Sequence, residues 1–371
     1  MIDLHGIIYA YHSNPALNEL VIPRTSASLP FCSRYRLIDF ALSSITNAGV
    51  RDVGVIMQSN YQSLLDHLEG GKDWDLCRGS GGLTLLPPYG MHDSNYGKYT
   101  GCMDALNAMR TYIKNIKQSN IALFRSDLAV NLDLEEIFDY HLSSHAEITA
   151  VCAEKITNSH DGISFLPETP TSSRRLLFSS TTESEALASI EVYIIRKSLL
   201  LQLIDWCAAN GRYHFHHDAL THYLENGGSV SLYRHKGYCA QICSVADYYR
   251  SSMDMLKQSL RSELLPEERP VYTKGRSSVS TYYSELASAK NSLIADGCYI
   301  EGQLENCVLF RGVKVGKGAK LKNCVIMQDS EICEDVTLDC VISDKDTVFS
   351  AGLTLTGSKL LPITVPKGKI I

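Results

Sequence analysis

The stretch RYRLIDFALSSITNAG, residues 34–49, decides how this chain is read. Leu37, Phe40, Ala41, Ile45 and Ala48 recur at helical spacing, and Gly49 supplies a stop. The pattern predicts an amphipathic helix with its apolar face turned to a core. Upstream, DLHGIIYA (3–10) reads as a buried strand that runs into YHSNPALNELVIPRTSASLPF (11–31). Downstream, VGVIM (53–57), IALFR (121–125) and ITAVCA (148–153) read as buried strands. Between and after them lie helical periods at 134–142 and 199–209. Such alternation predicts an α/β domain on a mainly parallel sheet. Ligands of such sheets sit beyond the carboxyl ends of the strands, so the loops after Ala10, Met57 and Arg125 are where chemistry is expected.

The period changes near Val245. VADYYRSSMDMLKQSLRSELL predicts one long connecting helix ended by Pro266, followed by a Pro- and Ser-bearing linker. Beyond it Ile294, Ile300, Val315, Leu321, Ile326, Ile332, Leu338 and Ile342 recur at about six residues, with Gly, Asn or Asp between them. That is the pattern of a left-handed parallel β-helix, each flat face taking one short strand per repeat. The expected division is 1–244 for the α/β domain, 245–290 for helix and linker, and 291–371 for the β-helix.

At 371 residues there is ample length for two cores. The formal net charge of −6 argues against nucleic acid or an anionic membrane surface as partner. No apolar run approaches the roughly 20 residues a spanning helix needs, and MIDLHGIIYAYH lacks a basic segment followed by an apolar one. A cytoplasmic location is expected. The twelve cysteines form no Cys-x-x-Cys pair and read as reduced, buried apolar residues. GKDWDLCRGSGG (71–82) lacks the lysine-serine order of a phosphate loop, and HFHHD (214–218) has no second ligand cluster for zinc.

RYRLIDFALSS, the VLFRGVKVGKGAKL of the tail and the order of the two domains together resemble the sugar-1-phosphate nucleotidyltransferases, most closely the bacterial ADP-glucose pyrophosphorylases (glucose-1-phosphate adenylyltransferases). The resemblance covers nearly the whole chain and implies a Rossmann-like nucleotidyltransferase domain carrying the β-helix. It also exposes losses. The family holds nucleotide phosphates with a glycine-rich loop and a following lysine; here His12, Asn14, Pro15 and Ala16 replace the loop, and Ser26 stands at the lysine. Pro15 has no amide hydrogen to offer an anion, and a serine hydroxyl carries no charge.

The resemblance places the magnesium aspartates at Asp127 and Gln241, and the residues beside them at Leu128 (family histidine) and Cys243 (family glycine). One aspartate without nucleotide is a weak magnesium site. Glu191 replaces a glycine beside the sugar phosphate, Thr100 replaces an arginine, and residues 162–188 carry no counterpart of the family's Glu-Lys pair. Gln58 and Asp104 match positions near the nucleotide, and Arg24 and Arg36 match basic positions that line an effector site in the family. Arg36 and Asp39 read equally well as a structural pair within or beside their helix.

Three functions follow from these residues. The first is a non-catalytic regulatory subunit that forms a heterotetramer with a catalytic ADP-glucose pyrophosphorylase and answers to an anionic sugar-phosphate or nucleotide effector. It would need no cofactor of its own, with Mg2+ serving the catalytic partner, and would form a homo-oligomer in isolation. The second is a weakly active nucleotidyltransferase with a rebuilt site. The third is a sensor that binds and does not catalyse.

Overall fold

The computed structural model describes residues 2–11, 14–78, 81–88, 99–154, 164–165, 176–177 and 187–371. Leu4–Tyr9 lies at the centre of the large sheet, parallel to Asp52–Ile56 on one side and to Asn120–Arg125 on the other. Gly82–Leu86 extends the parallel part beyond Asp52–Ile56. On the opposite flank Leu187–Arg196 runs antiparallel to both Asn120–Arg125 and Ile148–Ala153, and Val230–His235 pairs parallel with the latter. The central strands are mostly apolar because both faces are covered, and Leu4–Tyr9 and Ile148–Ala153 are buried at every residue.

The quoted helix spans Leu37–Asn47, and its residues from Leu37 to Thr46 are all buried. Its first residues, Arg34 to Arg36, stay outside it: Tyr35–Arg36 pairs as a strand with Pro30–Phe31. Asp39 sets this boundary, its Oδ2 accepting from the Arg36 backbone N–H at 2.9 Å.

The connecting helix is two helices, Val245–Asp254 and Gln258–Leu264. The sequence period ran on through Met255–Lys257, but the chain turns there. The Lys257 ammonium pairs with Asp254 at 2.8 Å, and the Arg261 guanidinium donates to the freed Met255 carbonyl at 2.7 Å.

The β-helix is built from three five-stranded parallel sheets; in one, Tyr282, Tyr299, Lys314, Glu331 and Val348 stand in register. It begins at Tyr282–Tyr283 and Ser288–Lys290, ahead of the expected boundary at 291. Those strands are exposed and carry none of the buried aliphatic residues by which the repeat was recognised. A third apolar core welds the two domains: Leu17, Leu20, Val21 and Phe31 share it with Tyr248, Phe310, Val325 and Ile342.

Candidate functional site

The carboxyl ends of the central strands converge on a cavity of about 400 Å³ lined by Tyr9, Tyr11, Tyr99, Gly101, Arg125, Glu191, Tyr193 and His214 to His217 among others. This is the place the strand order designates for a ligand. Gly101 permits the close approach that shapes one wall, since a Cβ there would sit 2.2 Å from the Tyr213 carbonyl oxygen.

The two expected metal positions do come together. Leu128–Val130 pairs antiparallel with Cys239–Gln241, setting Gln241 opposite Leu128, and the Ile242 N–H donates to the Asp127 carbonyl at 3.0 Å. Between them lies a group the sequence reading passed over, the Arg125 guanidinium. Its Nε and Nη2 donate to the two Asp127 carboxylate oxygens at 2.6 and 2.7 Å. Nη1 donates to Glu191. With its amide oxygen turned inward, Gln241 accepts from Nη1 at 2.7 Å and Nη2 at 3.0 Å. Burial works against the charge on Arg125, but Asp127 and Glu191 outweigh it and hold the guanidinium's pKa well above its ordinary value.

Glu191 occupies a left-handed backbone conformation, φ 58°, where the strand Leu187–Arg196 slips register between Ser189 and Val192. A glycine takes that conformation freely and a glutamate does not. Its carboxylate therefore faces the cavity rather than a sheet face. His216 Nδ1 stands 3.7 Å from it, and burial pushes the His216 imidazole down to about 4, so it is neutral at pH 7.

This donor set does not fit a magnesium ion. Magnesium demands near-octahedral oxygen ligands at about 2.0–2.1 Å. Both oxygens of Asp127 are taken by one guanidinium, and Gln241 brings no charge. Among the described residues no cluster of three or more His, Cys, Asp or Glu is placed to hold a metal, the 214–218 histidines included.

Of the phosphate-cradle segment the structure describes the residues from Asn14 on. Pro15–Val21 forms 3₁₀ turns kinked at Asn18 (φ 46°) and capped by Asn14, whose Oδ1 accepts from the Ala16 N–H at 3.0 Å, and its Leu17, Leu20 and Val21 are buried in the inter-domain core. Ser26 lies in a short buried turn, 1% exposed, and its hydroxyl has no partner among the described residues. His12 lies outside the described residues, as does most of 162–188.

The other expected residues are dispersed. Gln58 is half-buried just past Asp52–Ile56, and Asp104 accepts from the Thr100 N–H at 2.9 Å in the first turn of Cys102–Ala108. Neither lines the cavity. Asp39 is fully buried between the Arg36 backbone and His67 Nε2 at 2.5 Å. Arg36 donates to the Ser63 carbonyl at 2.5 Å and hydroxyl at 3.0 Å, and burial lowers its pKa to about 10. Arg24 is 2% exposed and forks onto Asp344 of the β-helix at 2.7 and 2.9 Å.

Around this pair lies a cluster of cationic side chains. Burial, then Arg36 and Arg24, push Lys345 down to about 7, against the pull of Asp344. Arg311 is 7% exposed, its pKa lowered by burial and by Arg34, and its Nε has no partner among the described residues. The signal that could have found Arg125 in the sequence was a charged residue closing an otherwise apolar strand, two positions before Asp127.

Comparison with known proteins agrees with this architecture. The nucleotidyl transferase family profile matches residues 19–163, and the GlmU-like C-terminal hexapeptide profile matches 278–358. The chain is 32% identical over 370 residues to the glycogen biosynthesis protein GlgD of Bacillus subtilis (strain 168), covering 98% of this chain and 96% of that protein. It is 27% identical over 359 residues to the glucose-1-phosphate adenylyltransferases of Bacillus cytotoxicus and Bacillus anthracis, covering 92% of each chain. With an α/β transferase domain, a left-handed β-helix and full-length similarity at this level, the chain belongs to the family of GlgD and the glucose-1-phosphate adenylyltransferases.

Proposed function

We propose that the chain is a cytoplasmic, non-catalytic regulatory subunit of an ADP-glucose pyrophosphorylase in bacterial glycogen synthesis. The observation that carries this reading is the fate of the cradle. The described part of the segment that would present amides to a triphosphate forms kinked 3₁₀ turns whose apolar side chains are spent on the inter-domain core, and Ser26 beside it is neutral and buried. A subunit of this kind needs no cofactor of its own, and magnesium acts in the catalytic partner. It works by binding one conformation of that partner better than another.

Two further features support the reading. The first coil of the β-helix presents Tyr282 stacked on Tyr299 with ring centroids 4.8 Å apart, beside Leu286 at 71% exposed, on the outer edge of a sheet. An open apolar edge of this sort is suited to a neighbouring subunit, in a homo-oligomer alone and a heterotetramer with the catalytic chain. The cationic cluster of Arg36, Lys345 and Arg311 suits an anionic sugar phosphate or nucleotide as effector, and the Arg24–Asp344 pair couples it to both domains. Gln58 and Asp104 are kept as residual nucleotide-side positions.

The test is to assay the chain alone and mixed with its catalytic homologue, with ATP, glucose 1-phosphate and Mg2+. The expected result is turnover well below about 1 s⁻¹ alone and a changed rate or effector response on mixing. Ordinary turnover alone, or no co-purification and no change on mixing, rejects the proposal.

A further inference from the structure

We infer that the Arg125 guanidinium is a built-in cation standing in for the divalent metal: it closes the metal site permanently and holds that site's acidic groups in place without any ion. The inference rests on the family reading of Asp127 and Gln241, and goes beyond the proposed loss of chemistry by naming what fills the gap.

Three observations converge on it. The guanidinium engages all three side chains that stand at or beside the family's metal and sugar-phosphate positions: Asp127 through two bonds, Glu191 through one, and Gln241 through two. Five N–H donors on a planar fork match this requirement, which a single ammonium could not span. Second, the acceptors are fixed in advance. Asp127 is 2% exposed and tied through its carbonyl to Ile242, and Glu191 reaches the guanidinium from a left-handed backbone position inside a strand irregularity.

Third, the guanidinium already answers part of the charge that a metal would need. Asp127 and Glu191 bring two negative charges and Gln241 none, so with one permanent positive charge in place a net single negative charge remains to draw a magnesium ion out of water. A metal entering the site would meet the guanidinium as a like charge, and Arg125 would have to leave a fully occupied hydrogen-bond set. Glutamate at the glycine position and glutamine at the aspartate position then make one physical sense together. One supplies an acceptor to the arginine and the other removes a charge the arginine could not balance.

The experiment titrates Mn2+ alone, as a paramagnetic probe, into the purified full-length chain and reads binding by water-proton relaxation. Wild type and Asp127→Asn are expected to give the same curve, because Asp127 is not available to metal. Arg125→Ala is expected to gain a site about tenfold or more tighter than any wild-type binding, and Arg125→Ala with Asp127→Asn to lose it. Correspondingly, the wild-type thermal midpoint should be indifferent to about 10 mM Mg2+ or to a chelator, whereas that of Arg125→Ala should rise with Mg2+. Asp127-dependent Mn2+ binding in the wild type overturns the inference, and so does a folded Arg125→Ala chain with no gain. Should Arg125→Ala not fold, Arg125→Gln keeps the side-chain bulk without the charge and is held to the same two outcomes. Failure here leaves the regulatory-subunit proposal to its own mixing assay, and success does not establish it.

Discussion

Arg24 and Asp344 join the two domains through one buried ion pair, and removing either partner should uncouple them. The side chains are 2% and 0% exposed, and the guanidinium also donates to the Leu20 carbonyl at 3.2 Å. Breaking a buried pair from one side strands a charge away from water and costs about 3–5 kcal/mol. Arg24→Met should lose that amount. Asp344→Leu should lose at least as much, because the Lys345 N–H that now donates to Asp344 at 2.7 Å is orphaned as well. The double variant keeps only this last penalty, about 1–3 kcal/mol, so a double-mutant cycle should return a coupling above about 3 kcal/mol.

The assay can localise the effect. Both tryptophans, Trp74 and Trp206, lie in the α/β domain, whereas Asp344 lies in the β-helix. Urea unfolding followed by tryptophan fluorescence should therefore shift for Asp344→Leu, by about 1 M at an m of about 3 kcal/mol per molar. Single variants that each cost under about 1 kcal/mol, or a tryptophan transition unmoved by Asp344→Leu, would refute the view that this pair ties the domains.

Other expectations follow from neighbouring residues. Gln241→Asp should not create activity, because the new carboxylate meets Arg125 Nη1 and Nη2 and the cradle stays closed; ADP-glucose formation by this single variant would contradict it. Sulfate should bind this cationic cluster less tightly as pH rises above about 7: Lys345, faced by Arg36, Arg24, Asp344 and Arg276, has its pKa lowered to about 7 and must regain a proton to pair with the anion. The loss should approach about tenfold per pH unit, calorimetry should read it, and Lys345→Met should flatten it. In stability the same lowered pKa acts with the opposite pH trend. The unfolded lysine holds its proton up to about 10.4, so the penalty of burying this group is full below about 7 and disappears as pH rises through that window. Gly101→Ala should destabilise by about 1–3 kcal/mol, since its Cβ meets a backbone carbonyl at 2.2 Å that cannot rotate away; an unchanged thermal midpoint would sink that account.

What the sequence made legible is what repeats or alternates. The central strands, the helix at Leu37–Asn47 and the coils of the β-helix each carry a period that one core imposes on many residues. Asp127 and Gln241 were legible as a pair through the family resemblance alone, since the strand pairing of Leu128–Val130 with Cys239–Gln241 that brings them together joins segments more than a hundred residues apart. The first coil of the β-helix was hidden because it is exposed, and the break at Met255–Lys257 because side-chain bonds rather than apolar spacing make it. Arg24 and Asp344 stand 320 positions apart, and no local pattern announces a partner at that distance. Arg125 was hidden differently. It closes a run of strand residues, and its meaning depends on Glu191 and Gln241 arriving from two distant places in the chain beside its neighbour Asp127.

The losses in this site are tied to gains elsewhere, and that makes them hard to reverse. A catalytic cradle needs glycines that leave consecutive amides free to turn toward an anion. Here the same stretch supplies Leu17, Leu20 and Val21 to the core shared with Phe310, Val325 and Ile342. Restoring the loop would strip large apolar groups from that core, at about 2–5 kcal/mol for each Leu reduced to a small residue. Likewise, vacating the metal position means removing Arg125 and leaving Asp127 and Glu191 facing each other without a counterion. The contacts that join the two domains, the shared apolar core and the Arg24–Asp344 pair, are made by this chain's own residues and need neither nucleotide nor metal. On the proposed function, that fixed inter-domain contact is what would let the chain bias the conformations of a catalytic partner.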